Sequence, residues 1–202
     1  MRRALTAVAG VALTVVILAV PADAAKGKTQ ITAVKGTVTG QQYVVATCGW
    51  MPTDQGPMQY WATSISVDRA VISGSGIGKG TMSWTAQANP FMGMGGQPTT
   101  WVINASSSGS SVTGQSNMNL GMGGGGNQTI SYGFGVMSGT GKFAGVTNGS
   151  LQTMQAPFNS PTCDPGFNPP ANWDPNDQST WQTGASSGAV PFSFTIYGQL
   201  IY

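Results

Sequence analysis

Val190-Pro191-Phe192-Ser193-Phe194-Thr195-Ile196-Tyr197-Gly198-Gln199-Leu200-Ile201-Tyr202 closes the chain. Val190, Phe192, Phe194, Ile196, Leu200 and Tyr202 fall in one phase with Gly198. Successive side chains of a strand point to opposite faces, so this run reads as a strand with one buried face. Working back, Ile130, Tyr132, Phe134 and Val136 form a second such row, and Met82, Trp84, Ala86 and Ala88 a third. Weaker alternation marks 29–38, 41–48, 58–68, 99–106, 111–120 and 147–155. Beyond the first residues no window repeats every 3.6 positions, so no helix is expected.

Gly-rich punctuation at 74–80, 106–111, 121–126 and 138–145 supplies the turns between these runs. Eight or nine short strands joined this way make a sandwich or a closed barrel. Charged residues are only 7% of the chain, too few to guard exposed sheet edges with lysine, and a barrel has no edges to guard. The expected fold is therefore all-β, a single antiparallel barrel of about eight strands. One segment breaks the rhythm before the last strand. Residues 156–189 hold Pro157, Pro161, Pro165, Pro169, Pro170 and Pro175 together with Trp173 and Trp181, which predicts an irregular excursion packed back on the domain.

At the other end, Met1-Arg2-Arg3, an apolar run from Ala4 to Val20 and the small-residue triplet Ala22-Asp23-Ala24 have the three parts of a secretory signal. Cleavage after Ala24 leaves 25–202 as one domain in the periplasm or outside the cell. The alternative is a membrane anchor, since the apolar run is close to the shortest bilayer span, although Pro21 and the triplet favour removal. In an oxidising compartment Cys48 and Cys163, the only two cysteines, pair most simply with each other. Free or metal-bound thiols are the other options.

Beyond Ala24 the basic residues are Lys26, Lys28, Lys35, Arg69, Lys79 and Lys142, and the acidic ones Asp54, Asp68, Asp164, Asp174 and Asp177. No basic stripe follows a phosphate backbone and no polybasic patch suits an anionic membrane, so nucleic acid is not an expected partner. The chain has no His and no Glu. Nucleophile–histidine systems and histidine-ligated zinc therefore drop out. Gly78-Lys79 and Gly141-Lys142 both lack the flanking residues of a phosphate loop. Asp68 and Arg69, adjacent on one strand, are expected to point to opposite faces.

Met137-Ser138-Gly139-Thr140-Gly141-Lys142-Phe143-Ala144-Gly145-Val146-Thr147-Asn148-Gly149-Ser150 resembles a hairpin of the allene oxide cyclase and dirigent type of β-barrel. Those barrels commonly carry Gly-Gly-Thr-Gly-Lys/Arg-Phe/Tyr-x-Gly-Ala-x-Gly between two late strands. Ser138 stands where the first Gly is usual, and Gly149 is slightly displaced. The resemblance covers the Ser138–Gly149 hairpin and the strand before it, and implies an eight-stranded barrel with an apolar interior. It brings no activity with it, because the pocket carboxylates and other polar groups of such enzymes have no counterpart to transfer.

Two Met-Gly loops, Asn89 to Gly96 and Asn117 to Gly124, flank one expected hairpin and would leave the barrel at the same end. Met92, Met94 and Met122 could then converge, either as an apolar cap at the mouth or as soft thioether ligands for Cu(I). Capping is the preferred reading, and no cofactor is expected. With Trp84, Tyr132 and Phe134 on the inward rows, these methionines form the candidate ligand-binding set. The expected function is a non-catalytic exported barrel that binds an apolar small molecule or serves the envelope structurally. One alternative is a cyclase- or dirigent-like enzyme steering its ligand by shape, with Tyr132 as its best inward polar group. The other is a small outer-membrane barrel, which strict alternation up to Tyr202 would also suit.

Overall fold

The computed structural model describes residues 29–88, 98–106, 109–122, 128–159 and 161–202, with Met122 described by its backbone alone. The secretory signal expected at 1–24 falls outside these residues. Nine strands follow in chain order: β1 (Ile31–Thr53), β2 (Gly56–Ser75), β3 (Gly78–Ala88), β4 (Thr99–Ala105), β5 (Ser111–Met122), β6 (Gln128–Gly139), β7 (Asn148–Thr153), β8 (Ala156–Pro157) and β9 (Gln182–Ile201). All pairings are antiparallel. Eight strands close in a ring in the order β1, β2, β3, β4, β5, β6, β7, β9, and β9 returns to β1. The short β8 continues the β7 side of β6. The fold is all-β and barrel-like, as the alternation predicts, and no α-helix occurs among the described residues.

The weakly patterned stretches 29–38 and 41–48 are a single strand. The register of β1 against β2 shifts between Thr39 and Gln42, where the extra residue lies on β2. What weakens the apolar period of β1 is that its inward positions include Gly36, Gly40 and Gln42. Even-numbered residues still face inward on both sides of the shift: Val34, Val38, Gln42, Val44, Ala46 and Cys48 are all buried.

The same bulge corrects the expectation for Asp68 and Arg69. Pairing with β3 skips from Val67 to Ala70, so two residues stand opposite Ser83 and both are exposed rather than split between faces. The Arg69 N–H donates to Ser83 Oγ (2.9 Å), which donates in turn to Asp68 Oδ1 (3.2 Å). Arg69 holds φ at 52°, where an L side chain costs about 1–2 kcal/mol. Arg69→Gly should therefore be neutral to about 1 kcal/mol stabilising, the gain partly offset by the entropy of glycine in the unfolded chain. The β-branched Arg69→Val should be the less stable of the two, and urea unfolding of the pair gives the order.

At one end, where β1 begins, the ring is closed by its own turns. Ile77 and Phe143 are buried there. The Lys142 ammonium donates to the Ile77 carbonyl and lies 4.8 Å from the centre of the Phe143 ring. Gly141 in the adjoining 3-10 turn has φ of 58°, and a Cβ on it would lie 2.2 Å from Ser110 Oγ. Only glycine fits both constraints.

At the opposite end β9, β1 and β2 outrun the rest of the ring. Pairing of β7 with β9 stops at Thr153–Ile196, whereas β1 pairs with β9 to Gly49–Gln182 and with β2 to Thr53–Gly56. The projecting ends form a three-stranded lip, and the Pro-rich excursion packs on it. Cys48 and Cys163 are disulfide-bonded, with Cα atoms 5.8 Å apart. The Trp50 indole donates to the Pro165 carbonyl (2.9 Å), and the Trp173 indole donates to the Trp50 carbonyl (2.9 Å). Asp177 caps the 3-10 turn at Gln178–Thr180. The Ser179 side chain and backbone N–H hold its carboxylate below the usual range.

The excursion is shorter than the expected 156–189, because Ala156–Pro157 pair with β6 and strand resumes at Gln182. Residues 182–189 carry no apolar alternation because their inward face passes close beneath the disulfide. A Cβ on Gly184 would lie 3.2 Å from Cys163 Sγ and 3.4 Å from Cys48 Sγ. Small residues are what the site admits, and small residues carry no hydrophobic period.

Candidate functional site

Inward rows bring Trp84, Tyr132 and Phe134 together, as their phase predicts. They are 3%, 1% and 1% exposed. Trp84 meets Tyr132 at 5.3 Å and Phe134 at 5.6 Å between ring centres, both edge to face. Trp101 adds an edge contact to Phe134 at 5.7 Å, and Phe194 one to Tyr132 at 5.4 Å. Such pairs are favoured by the ring quadrupole and stabilise beyond the area they bury. With aliphatic residues from every ring strand they belong to one core cluster. Around these three residues the interior is filled by side chains.

Polar groups also lie within this cluster, among them the Trp101 indole N–H, which donates to the Gly135 carbonyl (3.0 Å). The Tyr132 hydroxyl donates to Gln42 Oε1 (2.8 Å), and both groups are buried. Burial pushes the Tyr132 pKa far above its ordinary value, and the neighbouring Trp84 indole opposes this only weakly. The phenol therefore stays protonated at any physiological pH, committed to Gln42. The Trp84 indole N–H is buried and has no hydrogen-bond acceptor. The Tyr132 hydroxyl lies near enough for this N–H to lower the phenol's pKa, but not in hydrogen-bond geometry.

Of the methionines, Met92 and Met94 lie outside the described residues, as does the side chain of Met122. The strands that flank their loops, β3 with β4 and β5 with β6, do turn at the same end of the ring, the end that carries the lip. Among the described residues no three His, Cys, Asp or Glu side chains cluster as a metal would require.

A concavity of about 670 Å³ lies on the outer wall, across strands β2 to β6. Alternation explains its composition. Val67, Trp84 and Trp101 face inward, so their neighbours Ser66, Asp68, Ser83, Thr85, Thr100 and Val102 face out. Thr113, Ser138 and the exposed Met137 complete the far side. Both flanks are irregular: the Asp68–Arg69 bulge on β2, and a register shift between Thr113 and Gly114 on β5. Bulges bend and twist a sheet locally, which gives the outer wall its hollow. Thr113 Oγ1 and Ser138 Oγ lie 3.0 Å apart, and Ser83 Oγ is satisfied by Asp68. With several hydroxyls paired, methyl groups, Val102 and Met137 leave the exposed lining mostly carbon.

None of these outer residues stands out in the sequence. Their signal is the polar half of the alternation, which reads as solvated surface unless the bulges are known. Comparisons with protein-family models, with curated proteins and with solved structures return no match for this chain.

Proposed function

We propose that this chain is an exported, non-catalytic barrel protein that binds an apolar small molecule in the hollow of its outer wall rather than inside the ring. The observation that carries this reading is the contrast between the two faces of the same strands. The inner faces are filled by buried rings, while the outer hollow of about 670 Å³ is lined mainly by carbon, within the usual size of ligand clefts. The Cys48–Cys163 disulfide is compatible with an oxidising compartment. A lone protonated phenol fixed on Gln42, with no His or Glu in the chain, favours binding over a cyclase-like reaction.

A lipid-facing wall is disfavoured by its outward residues. Thr37, Thr39 and Gln41 of β1, Ser64 and Ser66 of β2, and Ser193, Thr195 and Gln199 of β9 occupy the positions that a membrane barrel fills with an apolar band. A structural role in the envelope is the second reading, favoured by the filled interior.

The uncharged dye Nile red tests the choice on residues 25–202. Saturable binding is expected, weakened tenfold or more by Val102→Lys and by Met137→Lys. Both positions are on the outer wall, so neither change disturbs the core. Absence of saturable binding, or binding indifferent to both substitutions, leaves only the structural role.

A further inference from the structure

The geometry points to a second binding site, at the lipped end of the ring, for a neutral saccharide. A cavity of about 400 Å³ lies there between the inner face of β2 and the start of the excursion. Trp61, Thr63, Gln128, Phe158, Asn159 and Thr162 define its character. It is independent of the outer-wall hollow.

Trp61 supplies the platform. It stands opposite Cys48 in the sheet, on the face that carries the disulfide. Its indole N–H is tied to the Cys163 carbonyl at 3.3 Å, yet the side chain is 53% exposed. Trp50, Trp84 and Trp101 are all buried. Trp61 is thus a large flat ring, tethered at its polar edge, with its apolar face left open. An aromatic face is electron-rich and attracts the weakly positive C–H groups of a sugar ring.

The remaining groups narrow the ligand class. No charged residue lines the cavity, so nothing there favours phosphate, carboxylate or ammonium ligands. The amides of Gln128 and Asn159 and the hydroxyls of Thr63 and Thr162 each donate and accept, as sugar hydroxyls do. None of these four side chains is hydrogen-bonded to another described residue. Phe158 makes the floor apolar, being buried.

The walls are fixed before any ligand arrives. The disulfide joins the excursion to β1 beside Trp61. The Phe158 N–H donates to the Gln128 carbonyl (2.9 Å), and the Gln59 amide to the Gly166 carbonyl (2.7 Å). A pre-formed site saves the ordering cost that weak, polar ligands can seldom offset.

The test uses residues 25–202 and four probes: hexamers of β-1,4-glucose, β-1,4-N-acetylglucosamine and α-1,4-glucose, and an anionic hexamer of β-1,4-mannuronate. Indole N–H signals in two-dimensional NMR report on the tryptophans one by one, with the Trp61 signal assigned by its loss in Trp61→Ala. At least one neutral hexamer should shift the Trp61 signal with half-saturation at or below about 1 mM, leaving those of Trp84 and Trp101 in place. Trp61→Ala should weaken that binding tenfold or more, with only a small loss of Tm because the disulfide still holds the excursion. Gln128→Ala should weaken it severalfold with unchanged Tm, since Gln128 is exposed. No shift of the Trp61 signal by any neutral hexamer overturns the proposal. So does preference for the anionic hexamer, or binding that survives Trp61→Ala undiminished.

Discussion

Cys48→Ser combined with Cys163→Ser is expected to lower the unfolding free energy of residues 25–202 by up to about 4–5 kcal/mol, the chain-entropy figure for a loop of this length. The bridge spans 115 residues, so its removal frees most of the unfolded chain while deleting only one contact of the folded one. The loss should therefore be felt mainly through the unfolded state, with an increased urea m-value as well as a lower midpoint. Locally the effect is different. The ring is held by continuous pairing from β1 round to β9, none of which passes through the excursion. Four indole and amide bonds still hold the excursion to the lip, from Trp50, Trp61, Trp173 and Gln59. The serine variant should keep its strand circular dichroism in water while cuts by protease appear first between Phe158 and Trp181. Equal stability of the bridged and serine forms would mean that the bridge contributes nothing to the fold.

How much of this was legible in the sequence follows from which residues carry a period. The ring was readable because Trp84, Tyr132, Phe134, Phe194 and Ile196 alternate strictly, and all of them are buried in one cluster. The pairing of the two cysteines was readable from their number. The bulges were not. Asp68–Arg69 on β2 and Met137 on β6 each include an inserted residue that looks locally like ordinary strand, and only the partner strands reveal the slip. The N-terminal half of β9 was hidden for the opposite reason, since Gly184, Ser186 and Gly188 on its inward face are small, Gly184 because the disulfide lies over it. The candidate sites were the least legible part. A groove built from the polar half of five strands resembles any solvated wall, and Trp61 shares the inward phase of the buried rows although the lip leaves it open. Which aromatic is core and which is platform depends on how far each strand outruns its neighbour, a property of the assembled ring rather than of the local sequence.

Trp84→Ala gives the second large effect and bears directly on whether the ring is solid. Removing a buried indole costs about 3–5 kcal/mol through lost transfer energy and the cavity left behind. Trp84 touches Tyr132, Phe134 and also Phe192, at 5.5 Å between ring centres. These rings come from two different strands, so they cannot all relax into the gap. Trp84→Phe separates volume from polarity. It also deletes the unpartnered indole N–H, whose burial without an acceptor carries a penalty of about 1–3 kcal/mol, so its net cost should be well under half that of alanine. The cavity made by alanine is lined by rings and aliphatic groups, and an apolar cavity of that kind stays dry and accepts an apolar guest. Added indole should therefore raise the Tm of Trp84→Ala and leave that of the unaltered chain unchanged. If the unaltered chain is instead stabilised by indole, and Nile red is displaced by it while Val102→Lys has no effect, the apolar ligand belongs inside the ring and the outer hollow is only surface.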